Sequence, residues 1–97
     1  MKLLISFDIN EKDENKREQA YNAIKFSKQT ERQWVHLHES VWVIIDGDAE
    51  PTQTTLSGFL PNSYVCVTDV SRRKVYTNDI IEAGHNGNDK EILTANY

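Results

Sequence analysis

The chain has 97 residues, of which 38% are hydrophobic and 27% are charged, and its formal net charge at pH 7 is -4. This length accommodates one hydrophobic core, and the composition is that of a globular rather than a disordered protein, so we expect a single α+β unit. The acidic balance excludes a protein that coats nucleic acid through bulk positive charge, because phosphate contacts require clustered Lys and Arg side chains.

The first apolar run, from Lys2 to Ile9, predicts a strand that is buried on both faces and therefore central in its sheet. This run is too short for a signal peptide or a membrane span, and we expect a cytoplasmic protein. It delivers Asp8 to an exposed strand end. A carboxylate there can bind Mg²⁺ and so activate water, but capping of the following turn or helix is the commoner use of Asp at such a position.

The polar segment after this strand predicts a helix that runs from about Asp13 to Phe26 or Ser27, with Asp13 or a neighbour as its cap. Ala20, Tyr21 and Ile24 recur at helical spacing and form a narrow apolar stripe. We expect this stripe to pack on the sheet.

From Arg32 the hydrophobic period changes to two, which predicts two strands joined by a tight turn near residues 38–40. Alternation places Trp34, His36 and His38 on one face of the first of these strands. Two histidines could converge on a metal or a phosphate, but no third ligand lies nearby in the sequence. An interface with a second subunit fits this mixed face better.

The turn residues and apolar spacing in the second half of the chain predict, in order, a turn, a helix, a fourth strand and a short fifth strand. They fall at Asp46–Asp48, Pro51–Leu60, Tyr64–Val70 and Arg73–Tyr76. The tail, 77–97, reads as a loop around Gly84–Asp89 between two small apolar anchors.

Cys66 and a basic run are the two chemically distinctive features of this half. Cys66 is the only cysteine, which excludes an intramolecular disulfide, and its apolar surroundings predict that it packs inside. Arg72, Arg73 and Lys74 form the densest basic run, which could contact phosphates or could be an ordinary solvated turn.

The order strand, helix, strand, strand, helix, strand predicts a ferredoxin-like βαββαβ sandwich. In it, a four-stranded antiparallel sheet carries both helices on one face, with the short fifth strand added. We expect residues 1–76 to form this domain and residues 77–97 to form a C-terminal extension that docks on a partner subunit or frays.

Two short motifs resemble those of a known set of proteins. The first strand ends in Phe7-Asp8-Ile9, and the third strand opens with Ser40-Val41-Trp42. With Trp34 before the hairpin, this combination resembles the SinR-like and CRISPR-associated Cas-two-like proteins, within a wider set that includes the VapD ribonucleases.

The resemblance implies a homodimer in which the segment after the fourth strand, including Val75 and Tyr76, crosses to the other subunit. It also implies a symmetric pair of Asp8 carboxylates near the dimer axis, which in some relatives is proposed to hold a divalent metal for phosphodiester cleavage. Many relatives are structural instead.

Two functions follow as expectations. The first is a non-enzymatic, dimeric scaffold or interaction module in a nucleic-acid-related defence or toxin system, with an interface formed by Trp34, His36, Trp42, Val75 and Tyr76. The alternative is a Mg²⁺-dependent endonuclease acting on RNA or DNA. There, paired Asp8 residues hold the metal, Ser40 supports the site, and Arg72, Arg73 and Lys74 bind the phosphate backbone.

Overall fold

The computed structural model describes residues 1–26, 33–45, 47–84 and 89–96. The strands and helices in these ranges are β1 (Lys2–Asp8), α1 (Glu14–Lys25), β2 (Trp34–His38), β3 (Val41–Ile45), α2 (Ala49–Phe59), β4 (Tyr64–Asp69), β5 (Glu82–Ala83) and α3 (Asp89–Thr94). Asp46 of the expected turn and residues 85–88 of the expected loop lie outside the described residues.

The strands form one antiparallel sheet in the order β4-β1-β3-β2-β5, so the α+β class is confirmed. β1 pairs with β3 on one side and with β4 on the other, as its nearly continuous apolar sequence predicts. The sheet has five strands in the described residues rather than four, because β5 extends it beyond β2.

The prediction of a strand at Arg73–Tyr76 is wrong, because these residues form the end of a turn and an irregular segment. Val75 donates its N–H to the Leu93 carbonyl, 2.8 Å away, instead of joining the sheet. The strand in this part of the chain is β5, where Glu82 and Ala83 pair with β2. The tail also contains the helix α3, which the sequence pattern did not indicate.

One face of the sheet is covered by α1 and α2. Asp13 caps α1 by accepting a hydrogen bond from the Asn15 N–H at 2.9 Å, as expected. Apolar side chains of α1 and α2 then pack on residues from β1, β2 and β3 in one cluster, formed by Leu3, Ile5, Phe7, Ala20, Ile24, Trp34, Trp42, Ile44, Leu56 and Leu60.

The C-terminal residues of the same chain cover the opposite face where it is formed by β2 and β3. Their second apolar cluster contains Val35, Leu37, Val43, Ile45, Ile92 and Leu93. Lys2 is also fully buried on this side, and its Nζ donates hydrogen bonds to the carbonyls of Leu93 at 2.9 Å and Ala95 at 2.8 Å and to that of Arg73. The described part of the extension therefore docks on its own chain.

Candidate functional site at the Asp8 end of the sheet

Asp8 ends β1 and is exposed, as the sequence predicts. It lies opposite Tyr64, the first residue of β4, while the neighbouring Phe7 donates its N–H to the Ser40 carbonyl at 2.8 Å. The backbone register therefore brings Asp8 and Ser40 to the same end of the sheet, because the β2–β3 turn meets the last residues of β1 there.

The Asp8 carboxylate does not act as the cap that we expected. The cap of α1 is Asp13, and among the described residues the Asp8 side chain accepts no hydrogen bond. The β1–α1 loop is instead held by Asn10, whose N–H donates to Ser63 Oγ at 2.8 Å. Asp8 is therefore an exposed acid rather than a cap.

Glu11, which the sequence did not single out, holds the two loops beside Asp8 together. Its carboxylate accepts hydrogen bonds from the Asn62 N–H at 2.7 Å and from the Asn62 side-chain amide at 3.2 Å. The backbone hydrogen bond from Asn62 lowers the pKa of Glu11. Because the carboxylate already serves as an acceptor for the α2–β4 loop, we assign it a structural role.

The described residues provide no cluster of metal ligands around Asp8 at this end of the sheet. The described ranges contain no group of three or more His, Cys, Asp or Glu residues that could hold a metal ion. Asp8 supplies a single carboxylate, whereas Mg²⁺ commonly uses one or two carboxylates completed by waters and substrate phosphates. The single carboxylate of Asp8 therefore fits Mg²⁺ only where waters and substrate phosphates, or groups of a second molecule, supply the other ligands.

The two histidines of β2 do not converge, contrary to the expectation from simple alternation. The β2–β3 register shifts between His36 and His38, which is the signature of a bulge. His36 Nε2 lies 3.1 Å from the Glu39 carbonyl, whereas the exposed His38 has Nε2 3.5 Å from Thr77 Oγ1. His36 is buried and His38 is exposed, so this geometry does not favour a shared metal site on the two rings.

The side chains assigned to an interface from β2 and β3 lie in the core beneath α1. Trp42 is fully buried, and Trp34 and His36 are 7% and 8% exposed. The ring of His36 stacks on Trp42 at a centroid distance of 3.8 Å, and the Trp42 Nε1 donor has no partner in the described structure. Alternation alone did not reveal that α1 covers this face.

The basic run and Asp8 lie at opposite ends of the sheet. Arg72, Arg73 and Lys74 are exposed in the turn after β4, beside Lys2, whose N–H donates to Ser71 Oγ at 3.0 Å. Because a strand rises about 3.3 Å per residue, the Lys2 and Asp8 ends of β1 lie about 20 Å apart. Within one chain, these cations cannot bind a phosphate that Asp8 also contacts.

The last two interface residues have different environments. Val75 packs against the second apolar cluster, whereas Tyr76 is 78% exposed. Cys66 is also exposed, because β4 is an edge strand and its face away from the helices is uncovered. The expectation that Cys66 packs inside is therefore wrong.

The described ranges contain no helix with both the length and the apolar character needed to cross a membrane. Comparisons with protein-family models, with characterised proteins and with solved structures find no match to this chain.

Proposed function

We propose that the chain is a non-enzymatic interaction module that works as a homodimer. The observation that carries this proposal is the uncovered surface of β4. Tyr64 is 77% exposed there, and Cys66 and Thr68 are exposed on the same face of the strand. A contiguous surface of strand side chains next to a free sheet edge is typical of a protein-binding site.

The proposal includes a ferredoxin-like arrangement of β1 to β4. It is supported by the alternation of these strands with α1 and α2 along the chain, and by the packing of both helices in one cluster. The departure from a four-stranded arrangement is β5, which pairs with β2 at the edge of the sheet remote from β4.

The biological setting is proposed from the resemblance to SinR-like and Cas-two-like proteins, which implies a nucleic-acid-related defence or toxin system. The interface differs from the one expected from the sequence. Trp34, His36 and Trp42 are committed to the core, whereas Tyr64 and Tyr76 remain exposed. We therefore place the interface on the β4 side of the sheet.

A Mg²⁺-dependent endonuclease is the second candidate, favoured by the exposed Asp8 carboxylate at a strand end. This candidate uses paired Asp8 residues, so a dimer would have to bring a second carboxylate close to the first.

Two measurements test these functions. Sedimentation equilibrium of the full chain should give twice the 11.2 kDa mass of one chain. Incubation of the wild type and Asp8→Ala with single-stranded and duplex RNA and DNA, in Mg²⁺ or Mn²⁺, should give no cleavage by either protein. Cleavage that disappears in Asp8→Ala, but persists in an Asp48→Ala control, would establish the enzyme and overturn the scaffold.

A further inference from the structure

The outer edge of β4 presents a row of backbone groups. Phe7 donates its N–H towards β3, at Ser40, whereas the Lys2 carbonyl accepts from Val70 on the β4 side. The N–H and C=O groups of successive residues point to opposite sides of a strand, so the backbone groups of Tyr64, Cys66 and Thr68 are the ones that hydrogen-bond to β1. The groups directed away from the sheet are the N–H and C=O of Val65, Val67 and Asp69, and no strand in the described ranges pairs with them.

This edge lacks the usual features that prevent strand pairing. Proteins protect exposed edges with Lys, Pro, bulges or very short strands. β4 is six residues long, contains no Lys, Arg or Pro, and pairs with β1 without a register shift. Residues of β4 are exposed or half-buried throughout, so a second strand can approach the edge.

Opposite charges flank the two ends of β4. Beside its first residue lie the exposed Asp8 carboxylate and Glu11, with Lys16 close to Glu11. Its last residue, the exposed Asp69, leads into three cations, Arg72, Arg73 and Lys74, so positive charge is in excess there. An antiparallel pairing of β4 with its copy places the acidic end of one chain against the basic end of the other. The charge pattern therefore favours a second copy of this chain as the occupant.

We propose that two copies join through their β4 strands, antiparallel, to form one continuous sheet across the dimer. This inference rests on the proposed homodimer and specifies its geometry. With Val67 at the two-fold axis, Val65 pairs with the partner's Asp69, so that all three outward-facing residues of each strand are hydrogen-bonded. No other symmetric register uses all of these groups.

The pairing completes the Asp8 end of the sheet with cations from the other molecule. In this register Tyr64 lies opposite the partner's Val70. Because Tyr64 also pairs with Asp8, the partner's Val70 lies two strand spacings, of about 4.8 Å each, from Asp8. The partner's Arg72 follows two residues later and reaches the Asp8 carboxylate. The two Asp8 residues lie more than about 20 Å apart, so they do not share a metal ion.

The first test introduces a charge near the axis. Thr68 is exposed and lies diagonally across from the partner's Thr68, so Thr68→Lys puts two like-charged side chains on residues about 7–8 Å apart. We expect the dimer dissociation constant from sedimentation equilibrium to rise at least about tenfold. Thr54→Lys makes the same change on the exposed surface of α2 and should leave the constant unchanged.

The second test uses the only cysteine. Across the proposed axis Cys66 lies diagonally from the partner's Cys66, a spacing of about 7–8 Å that a short bismaleimide spans. We expect efficient cross-linking of the wild type and its loss in Thr68→Lys. A Cys66→Ser, Thr54→Cys double variant carries one exposed thiol on α2 and should not cross-link.

The charge pattern is tested by reversal. Arg72→Glu should weaken the dimer, because it places a new acid beside the partner's Asp8. Adding Asp8→Lys to Arg72→Glu should restore the affinity, since opposite charges again meet across the interface. A double variant no tighter than Arg72→Glu alone would overturn this contact.

The results of these experiments distinguish an error in the proposed β4 pairing from an error in the proposed homodimer. A dimer that survives Thr68→Lys unchanged, with cross-linking no greater for Cys66 than for the cysteine on α2, would overturn the β4 pairing and leave the homodimer. A mass of 11.2 kDa for the wild type at every concentration would overturn both.

Discussion

His36 is a titratable side chain held among buried aromatic rings. Its ring is parallel to the indole of Trp42 within 10°, and Tyr21 meets it edge-on at a centroid distance of 5.5 Å. Burial lowers the pKa of His36 from its ordinary value of 6.5, while the hydrogen bond to the Glu39 carbonyl opposes this shift. Lys25 lowers the pKa further and Glu82 raises it, so the neutral ring is the form that the folded protein favours at neutral pH.

The lowered pKa of His36 predicts that the protein becomes less stable in mild acid. Since the folded pKa lies below the unfolded value of 6.5, the unfolded chain binds a proton first as the pH falls. The free energy of unfolding should therefore be fully retained above pH 6.5 and decrease as the pH falls through the folded pKa. Urea titrations followed by tryptophan fluorescence, at pH values from about 7.5 to 5, measure this change.

The matched variants for this titration are His36→Phe and His38→Gln. His36→Phe keeps a stacked ring without a titratable group and should flatten the pH dependence between neutral and mildly acidic pH. His38 is exposed, so His38→Gln should retain the wild-type slope. An unchanged slope in His36→Phe would assign the effect to other groups.

At the scale of elements, Lys2 helps to hold α3 against the sheet, together with the buried side chains of Ile92 and Leu93. A six-residue helix is too short to be stable alone. The buried ammonium of Lys2 donates to the carbonyls of Leu93 and Ala95 at the end of this helix, where unpaired carbonyls carry partial negative charge. Lys2 thereby joins β1, the first element of the chain, to α3, the last.

Lys2→Met should loosen α3 while the rest of the sheet stays folded. The substitution keeps the length of the buried side chain but removes the donor to the Arg73 and Ala95 carbonyls and one of the two donors to the Leu93 carbonyl, which costs about 1–3 kcal/mol. Hydrogen exchange of the amides of residues 89–96 should accelerate relative to those of β1 and β3. Lys12→Met, at an exposed position, is the control, and equal protection of α3 in both variants would refute the role of Lys2.

The sequence predicted the elements whose signal is local. The apolar run of β1, the spacing of Ala20 and Ile24, and the cap at Asp13 each depend on near neighbours along the chain, and the structure confirms them. The sequences of β5 and α3 are short and show little hydrophobic periodicity. These two elements contact distant parts of the chain, β2 and Lys2, and local sequence patterns do not predict such contacts.

At the site, sequence reasoning correctly placed Asp8 at an exposed strand end and could not identify its surroundings. The β2–β3 bulge separates His36 from His38, and a simple two-residue period contains no signal for it. The buried faces of Trp34 and Trp42 were likewise assigned to an interface because an apolar face does not reveal what covers it. The charged residues at the strand ends, Asp8 and the basic run from Arg72 to Lys74, were by contrast predicted from the sequence.

The whole molecule consists of a sheet with helices on one face and the C-terminal segment on part of the other. The two clusters share β1, β2 and β3, so the sheet separates two apolar layers. Ile92 and Leu93 are 2% and 3% exposed, and burial of two such side chains contributes about 3–6 kcal/mol. For a domain with a total stability of about 5–15 kcal/mol, this is a large fraction.

Removal of residues 77–97 should therefore leave a chain that does not fold cooperatively. The truncation uncovers the apolar face of β2 and β3, including Val43 and Ile45, and we expect it to bind a hydrophobic dye and to lose a sharp urea transition. Leu93→Asp in the full chain should lower the unfolding midpoint, whereas Lys90→Asp on the exposed surface of α3 should not. A truncated chain with a wild-type midpoint would show that residues 1–76 are a self-sufficient domain and that the extension is a dispensable cover.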